Sequence, residues 1–307
     1  MDKIHIPVLL EEVNNILDLK KGDSYIDCTF GAGGHAKESW KRVGAEGKIL
    51  GLERDTELIS HIIPGWKNRK NVKIVNRCFS ELAEVVEEEK FGRADGVLLD
   101  LGVSSWQLDK SDRGFSFARA AALDMRMGRG SLTAADFLNK ADQDEMKEVF
   151  LKYGEIRNCQ NIVDAIIKNR QIKKIETVDD LINCLSELKI KKNSSRNLLA
   201  RIWQSIRMKV NNEINELLSV LPQAVDVLKP GGRLVVISFH SGEDRIVKDF
   251  FNKMSRGCVC PPDFPKCVCE TRPVLRILTK KAVGPTKKEL GINSRSSSAK
   301  LRAVMKI

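Results

Sequence analysis

The stretch that most restricts what this chain can fold into is Tyr25-Ile-Asp-Cys-Thr-Phe-Gly-Ala-Gly-Gly-His35. Tyr25 to Cys28 reads as the end of a buried strand. Gly31, Gly33 and Ala36 then fit G-x-G-x-x-G/A, the turn between a first strand and a first helix in dinucleotide-type folds. Lacking Cβ atoms, the glycines let the backbone take positive φ and come close to a ligand. The next helix, read as Gly34 to Val43, aims its N-terminus at whatever occupies that turn. Many purely structural turns share this pattern, so its meaning rests on its surroundings. A second apolar run, Lys48-Ile-Leu-Gly-Leu52, ends in Glu53, about 20 residues past the glycines, where such folds place the acid that holds ribose hydroxyls. Asp27 stands just before the turn. A carboxylate there suits a cationic amino-acid group better than a pyrophosphate. That favours S-adenosylmethionine, with its ammonium and sulfonium, over NAD; capping of the loop is the alternative role for Asp27.

The pattern continues along the chain. His5 to Leu19 reads as an amphipathic helix, and Val72 to Val75 as a third strand after a loop containing Pro64 and Gly65. Ser80 opens a short acidic helix, Glu81 to Lys90. Gly96-Val-Leu-Leu-Asp-Leu101 is apolar on both faces, as a central parallel strand should be. It runs into Asp100-Leu-Gly-Val-Ser-Ser105; ligands of open α/β sheets sit beyond the C-terminal ends of strands, which makes Asp100, Ser104 and Ser105 candidates for chemistry. From 110 to 208 only helical signals occur, with capping-box starts at Thr133-x-x-Asp136 and Thr177-x-x-Asp180 and helical spacing over Asn161–Lys168 and Leu198–Val210. Strand and helix then resume: a helix over Glu213–Leu228, a tight turn Lys229-Pro-Gly-Gly-Arg233, and a fifth buried strand, Leu234-Val-Val-Ile-Ser-Phe239, ending at His240 and Ser241. Val274–Leu278 and Leu301–Ile307 read as a closing hairpin. The expected architecture is an α/β domain, 1–109 and 209–307, split by an all-helical insert, 110–208, that recognises substrate.

Charge narrows the partner. The net charge is +11, concentrated in two segments. Residues 165–209 carry eleven Lys and Arg against four Asp and Glu, and residues 280–307 carry eight against one. Two basic segments on a near-neutral body point to a polyanion, most simply nucleic acid; solvated helix faces and a frayed tail would give the same count. No apolar run approaches the roughly 20 residues that span a bilayer, and the N-terminus lacks a basic region followed by an apolar one, so a cytoplasmic location is expected. Eight scattered cysteines suggest reduced thiols. Cys258-Val-Cys260 and Cys267-Val-Cys269 have the number of thiols a zinc site needs, but C-x-C is less usual than C-x-x-C, and Pro261, Pro262 and Pro265 suit a stiff loop, so no metal is expected.

Several stretches together resemble the MraW (RsmH) family of bacterial ribosomal RNA methyltransferases over essentially the whole length. They are His5-Ile-Pro-Val-Leu-Leu-Glu-Glu12, Asp27-Cys-Thr-Phe-Gly-Ala-Gly-Gly-His35, Leu98-Leu-Asp-Leu-Gly-Val-Ser-Ser105 with Gln107, Arg113-Gly-Phe-Ser-Phe117, Leu123-Asp-Met-Arg-Met127 and Ser238-Phe-His-Ser-Gly-Glu-Asp-Arg-Ile-Val-Lys248. The resemblance implies a class I, Rossmann-like, S-adenosylmethionine-dependent methyltransferase fold with an inserted helical domain, acting on N4 of a cytosine in 16S ribosomal RNA. It implies a cofactor site of Gly33, Gly34, His35, Glu53, Phe79, Asp100 and Gln107. Glu53 would accept hydrogen bonds from the ribose, Phe79 would pack on adenine, and Asp100 would lie near the sulfonium; Gln107 and His35 rest on the resemblance alone.

Transfer to an exocyclic amine needs acceptors for its N–H groups and a proton sink, for which Asp100, Ser104 and His240 are candidates. Trp106, Phe115 and Phe117 could stack on an unstacked base or pack in a core, and Arg113, Arg201 and Arg207 are candidate phosphate contacts. The expected partner is 16S ribosomal RNA or the assembled small subunit, with no membrane and with a homodimer left open. The sequence departs from the family pattern at Ala121-Ala122, at Asn197-Leu-Leu-Ala-Arg201 and at Gly242, mainly in or near the insert, which touches substrate docking more than cofactor binding. No Cys lies between Cys78 and Cys159 or within 230–245, against a carbon-5 methyltransferase with a thiol nucleophile. A nicotinamide dehydrogenase would share the glycine turn but leaves the basic segments unexplained. A non-catalytic RNA-binding assembly factor would share the charge but has no need of Asp27, Glu53 and Asp100.

Overall fold

Strands buried on both faces form the frame. Seven make one sheet in the order β3-β2-β1-β4-β5-β7-β6: β1 (Ser24–Asp27), β2 (Lys48–Leu52), β3 (Val72–Val75), β4 (Ala94–Asp100), β5 (Leu228–Ser238), β6 (Leu275–Ile277) and β7 (Lys300–Lys306). The computed structural model describes residues 7–109, 112–128, 130–186, 188, 192–257 and 272–307. It divides into two compact units, Met1–Gly102 with Glu216–Ile307, and Val103–Asn215.

In the first unit β1 to β5 are parallel, and β7 lies antiparallel between β5 and β6. Side chains alternate between two cores, as a pleated strand requires. Ile26, Leu50, Val97, Leu99 and Val236 face one core with α4 (Leu82–Glu88), α11 (Glu213–Asp226) and α12 (Ser241–Met254). Tyr25, Ile49, Leu98, Val235 and Ile237 face the other with α1 (Leu10–Leu17), α2 (Gly34–Val43) and α3 (Thr56–Trp66). This is a doubly wound, Rossmann-like sheet. Its order reverses between β1 and β4, which pair directly through Asp27 and Leu98. A crevice for ligands opens at such a switch point, beyond the strand tips.

The second unit is helical: α5 (Ser105–Asp109), α6 (Ala134–Lys140), α7 (Gln143–Lys152), α8 (Gln160–Ile172), α9 (Val178–Ser186) and α10 (Lys192–Val210). It has its own core, including Phe137, Phe150, Ile166 and Trp203. Thr133 Oγ1 accepts from Asp136 N (3.0 Å) while Asp136 Oδ2 accepts from Thr133 N (3.3 Å), the reciprocal cap read from the sequence. Thr177 and Asp180 repeat it at 3.1 and 3.0 Å.

Three local readings are corrected. Pro64 and Gly65 lie inside α3, not in a loop. A proline there forfeits a backbone bond, at about 3 kcal/mol in a helix interior. Here Asp55 Oδ1 caps the start of α3, accepting from Glu57 N and Leu58 N, and Trp66 at its end packs edge-on to Phe30 with ring centroids 5.1 Å apart. The turn at Lys229–Arg233 is a bulge within β5: Leu228 pairs with Ala94 and Arg233 with Gly96, so the extra residues loop out around Gly231 at φ 83°. The last two strands pair antiparallel but are no tight hairpin. Between them come α13 (Lys287–Ile292) and a short 3₁₀ turn, and β7 pairs on both sides. The start of the expected first helix, at His5 and Ile6, and the cysteine cluster Cys258–Cys269 lie outside the described residues. Among the described residues no helix is long and apolar enough to cross a membrane.

Phe30 fixes the glycine turn against β2. A Cβ on Gly51 would lie 2.1 Å from Phe30 Cδ2, whereas one on Gly65 meets nothing within 4 Å. Gly51→Ala should therefore destabilise the protein by about 1–3 kcal/mol, the usual scale for overpacking. Gly65→Ala, in a helix and with open space around it, should be neutral or stabilising by up to about 1 kcal/mol. Urea unfolding of the two variants checks the contrast.

Candidate active site

The sheet delivers acidic groups to its C-terminal edge. Asp27 ends β1, Glu53 follows β2, Asp100 ends β4, and Glu243 sits in the first turn of α12. Asp27 is 2% exposed and Glu53 8%. Each is held by N–H donors. Asp27 Oδ1 accepts from Thr29 N (3.2 Å), and Tyr25 Oη lies 3.3 Å from Asp27 Oδ2. Glu53 Oε2 accepts from Gly31 N (2.9 Å) and Oε1 from Asp55 N (2.8 Å), so this carboxylate pins the glycine turn. Thr29 ties two tips together, since its Oγ1 accepts from Asp100 N (2.7 Å).

None of Asp27, Glu53 and Asp100 has a lysine or arginine partner among the described residues. Burial therefore dominates their titration. It pushes Asp27 up to about 7, against the bonds from Thr29 and Tyr25. It pushes Glu53 up to about 7, with the charges of Asp55 and Asp27 adding to the effect. Asp100 rises well above the usual carboxylate range, first by burial and then by the charges of Asp27 and Glu243. Asp100 Oδ1 is buried and finds no hydrogen-bond partner among the described residues, and Oδ2 lies 3.7 Å from His35 Nε2, beyond hydrogen-bond reach. These groups thus form one electrostatic cluster, desolvated and short of positive charge.

The glycine positions do what their chemistry allows. Gly33 caps α2 at φ 76°, and a Cβ on it would meet the rings of Trp66 and Phe30 at 2.8 and 2.9 Å. Gly34 faces Pro7, whose Cγ would lie 2.4 Å from an added Cβ. His35 is buried in the first turn of α2. Phe79, in a 3₁₀ turn after β3, is half-buried and packs against the sheet core. His240 is the N-cap of α12: Nδ1 accepts from Gly242 N (3.1 Å) and Glu243 N (3.4 Å), and Nε2 lies 3.2 Å from Glu243 Oε1. Ser104 and Gln107 belong to the second unit and bond each other, with Ser104 N donating to Gln107 Oε1 (3.0 Å) and Gln107 N to Ser104 Oγ (3.2 Å).

The match to known proteins covers the chain from end to end. The model of the MraW methylase family fits residues 2–307. The chain belongs to the MraW methylase family. It is 44% identical over 304 residues to a protein of Caldicellulosiruptor saccharolyticus named ribosomal RNA small subunit methyltransferase H, covering 99% of both chains. A protein of the same name from Clostridium botulinum strain Loch Maree is 40% identical over 309 residues, covering 100% of both. The doubly wound sheet with an antiparallel β7 is the class I methyltransferase arrangement.

In this member of the MraW family the three arginines read as phosphate contacts make protein contacts within the second unit. Arg207 forms a fork with Glu213, Nε to Oε1 at 2.8 Å and Nη2 to Oε2 at 2.9 Å, both side chains largely buried. Arg201 donates to the carbonyls of Gly154 and Glu155 at the end of α7. Arg113 donates to the Arg126 carbonyl (2.9 Å) and lies over the Trp106 and Phe115 rings. Phe115 is buried in the helical core, and Phe117 packs edge-on to Trp203. Sequence reasoning missed Thr29, the bridge between β1 and β4, and Glu243, which accepts from Phe239 N (3.0 Å) and acts on Asp100. Thr29 lay inside the glycine motif and Glu243 inside the stretch after β5, but neither residue type announces its role.

The raised carboxylates tie stability to pH. In the folded state Asp27 and Glu53 hold their protons more tightly than in the unfolded chain, so between about pH 4 and pH 7 folding takes up protons. The ligand-free protein should lose stability as pH rises through that window. Asp27→Asn keeps an acceptor for Thr29 N and removes the buried charge. It should narrow the stability difference between pH 5 and pH 8 by a few kcal/mol, measured by urea unfolding. An unchanged difference would mean that Asp27 is solvated.

Proposed function

We propose that this protein is an S-adenosylmethionine-dependent methyltransferase that methylates N4 of a cytosine in the 16S ribosomal RNA of the small subunit. The observation that carries the reading is the set of carboxylates at the strand tips, Asp27 and Glu53 buried and Asp100 half-buried, with no lysine or arginine partner among the described residues. Such a set favours a ligand that brings its own positive charge, and it disfavours a pyrophosphate. The names of relatives at 40–44% identity supply the substrate class.

The donor, when bound, supplies a methyl group already made electrophilic by its sulfonium. Asp27 and Asp100 would face the cationic end and Glu53 the ribose hydroxyls. Gly33, Gly34 and His35 would line the approach to the N-terminus of α2, and Phe79 would offer adenine an apolar face. Within this reading Asp100 is the proton acceptor. The acceptor amine sheds a proton as its nitrogen is alkylated, and Asp100 Oδ1 is buried with no competing bond among the described residues. Only the ionised carboxylate can accept that proton, and the positive charge of the bound donor favours the ionised form of Asp100. The other candidates have their acceptors engaged: Ser104 Oγ takes the Gln107 N–H, and His240 Nδ1 caps α12.

Calorimetry with S-adenosylmethionine should show binding coupled to a net release of protons at pH 7, because the ligand's cationic end favours the ionised forms of Asp27 and Asp100. Asp100→Asn should lower the methyl-transfer rate by about 10²- to 10⁴-fold and leave RNA affinity intact. Nucleoside mass spectrometry of 16S ribosomal RNA from cells with and without the protein decides the product. A product other than N4-methylated cytosine overturns the proposal, and so does loss of RNA binding in the folded Asp100→Asn variant.

A further inference from the structure

The basic C-terminal segment is not uniform. Of its eight cations, three are used inside the first unit. Arg302 forks onto Asp244 (2.6 and 3.2 Å), Lys300 reaches the same carboxylate (3.5 Å), and Lys306 donates to the carbonyls of Val225, Asp226 and Leu228. The other five, Lys280, Lys281, Lys287, Lys288 and Arg295, lie in the strap 279–298 that joins β6 to β7, and all five are exposed. None of the four lysines has an ion-pair partner among the described residues. The strap's single acid, Glu289, is turned inward, its Oε1 accepting from Leu9 N at 2.8 Å.

Sheet register fixes where this strap lies. Asp100 pairs with Ile237, Ile237 with Leu301, and Leu301 with Val283 of the strap through reciprocal backbone bonds of 2.9 and 2.8 Å. One row therefore runs from the candidate catalytic carboxylate to the residue two beyond Lys281. Three strand steps span about 15 Å. Because β7 is antiparallel, the end it shares with the strap is the C-terminal edge of β1 to β5, the edge that carries Asp27, Glu53 and Asp100.

We propose that the strap 279–298 is the RNA-docking surface of the first unit, with Lys280, Lys281, Lys287 and Lys288 gripping backbone phosphates that flank the acceptor base. The inference rests on the RNA methyltransferase reading and adds to it the surface that holds the substrate. Exposed lysines suit phosphates as point charges, without the geometric demand of a base contact. Lys280 and Lys281 precede α13 and Lys287 and Lys288 open it, so the four charges fall at two places along the strap, which suits successive phosphates of one backbone. Arg207, Arg201 and Arg113 of the helical unit, by contrast, are committed to Glu213 and to backbone carbonyls.

The test compares Lys280→Gln/Lys281→Gln/Lys287→Gln/Lys288→Gln with a control, Lys20→Gln/Lys21→Gln/Lys48→Gln, whose exposed lysines flank the opposite ends of β1 and β2. The probe is a single-stranded fragment of small-subunit ribosomal RNA, titrated at several salt concentrations. The strap variant should bind about tenfold or more weakly at low salt and lose up to about 3 from the slope of log K against log salt, at roughly 0.7 per phosphate. Its melting temperature and its calorimetric affinity for S-adenosylmethionine should match wild type. An unchanged RNA affinity and slope, an equal loss in the control, or wild-type RNA binding alongside lost affinity for anionic vesicles would each overturn the docking surface alone. A wild-type chain that binds S-adenosylmethionine but neither the fragment nor the assembled small subunit would overturn the methyltransferase reading together with the surface.

Discussion

Burying a carboxylate without a cation is costly, and this fold does it at adjacent strand tips. The strand order makes it unavoidable. Once β1 and β4 pair through Asp27 and Leu98, the carboxylates of Asp27 and Asp100 must end on the same edge, and Glu53 follows one strand over. What keeps them ordered is a small set of backbone donors. Thr29 and Gly31 sit in the glycine turn and give their N–H groups to Asp27 and Glu53, while the Thr29 hydroxyl takes that of Asp100. The turn is thus built around the acids as much as around a ligand. Its positive-φ glycines let it wrap them closely, and Phe30 locks it against Gly51 and Trp66.

Much of this was legible because it depends on burial and on chain direction. A strand covered on both faces must be apolar at every position, so β1, β2 and β4 announce themselves, and their last residues are then the site. What was not legible depends on partners distant in sequence. Pro64 reads as a loop because its helix-breaking cost is local, whereas the Phe30–Trp66 contact that accompanies α3 is not. β6 and β7 read as a hairpin because neighbours in sequence usually pair, yet β7 enters between β5 and β6, bonded to both. Thr29 escaped notice for a similar reason, since its hydroxyl matters only once Asp100 is beside it, 71 positions along the chain.

The arginines show the limit of counting charge. Residues 165–209 are basic by composition, but a guanidinium forked onto Glu213 or donating to the end of a helix is structural, and no count separates it from one that faces solvent. Arginine is the residue suited to such commitments, because its planar donors match carboxylates and carbonyls, whereas lysine stays hydrated at the surface. Arg113, Arg201, Arg207 and Arg302 hold elements together, whereas Lys280, Lys281, Lys287 and Lys288 of the strap have no ion-pair partner among the described residues.

The acid cluster and the lysine strap also need each other. An acid cluster short of positive charge would repel the phosphates of an RNA substrate. At about 15 Å that repulsion is weak in salt, since the screening length is about 8 Å, but it grows as the base is drawn towards the strand tips. Lysines at the same edge offset it along the path of approach, and a cationic donor in the pocket offsets it at the end. On that proposal a bound cation would favour RNA binding, and by linkage bound RNA would disfavour departure of the cation. In the proposed reaction the two charge systems, opposite in sign and joined by one row of the sheet, would couple binding of the cationic donor to binding of RNA.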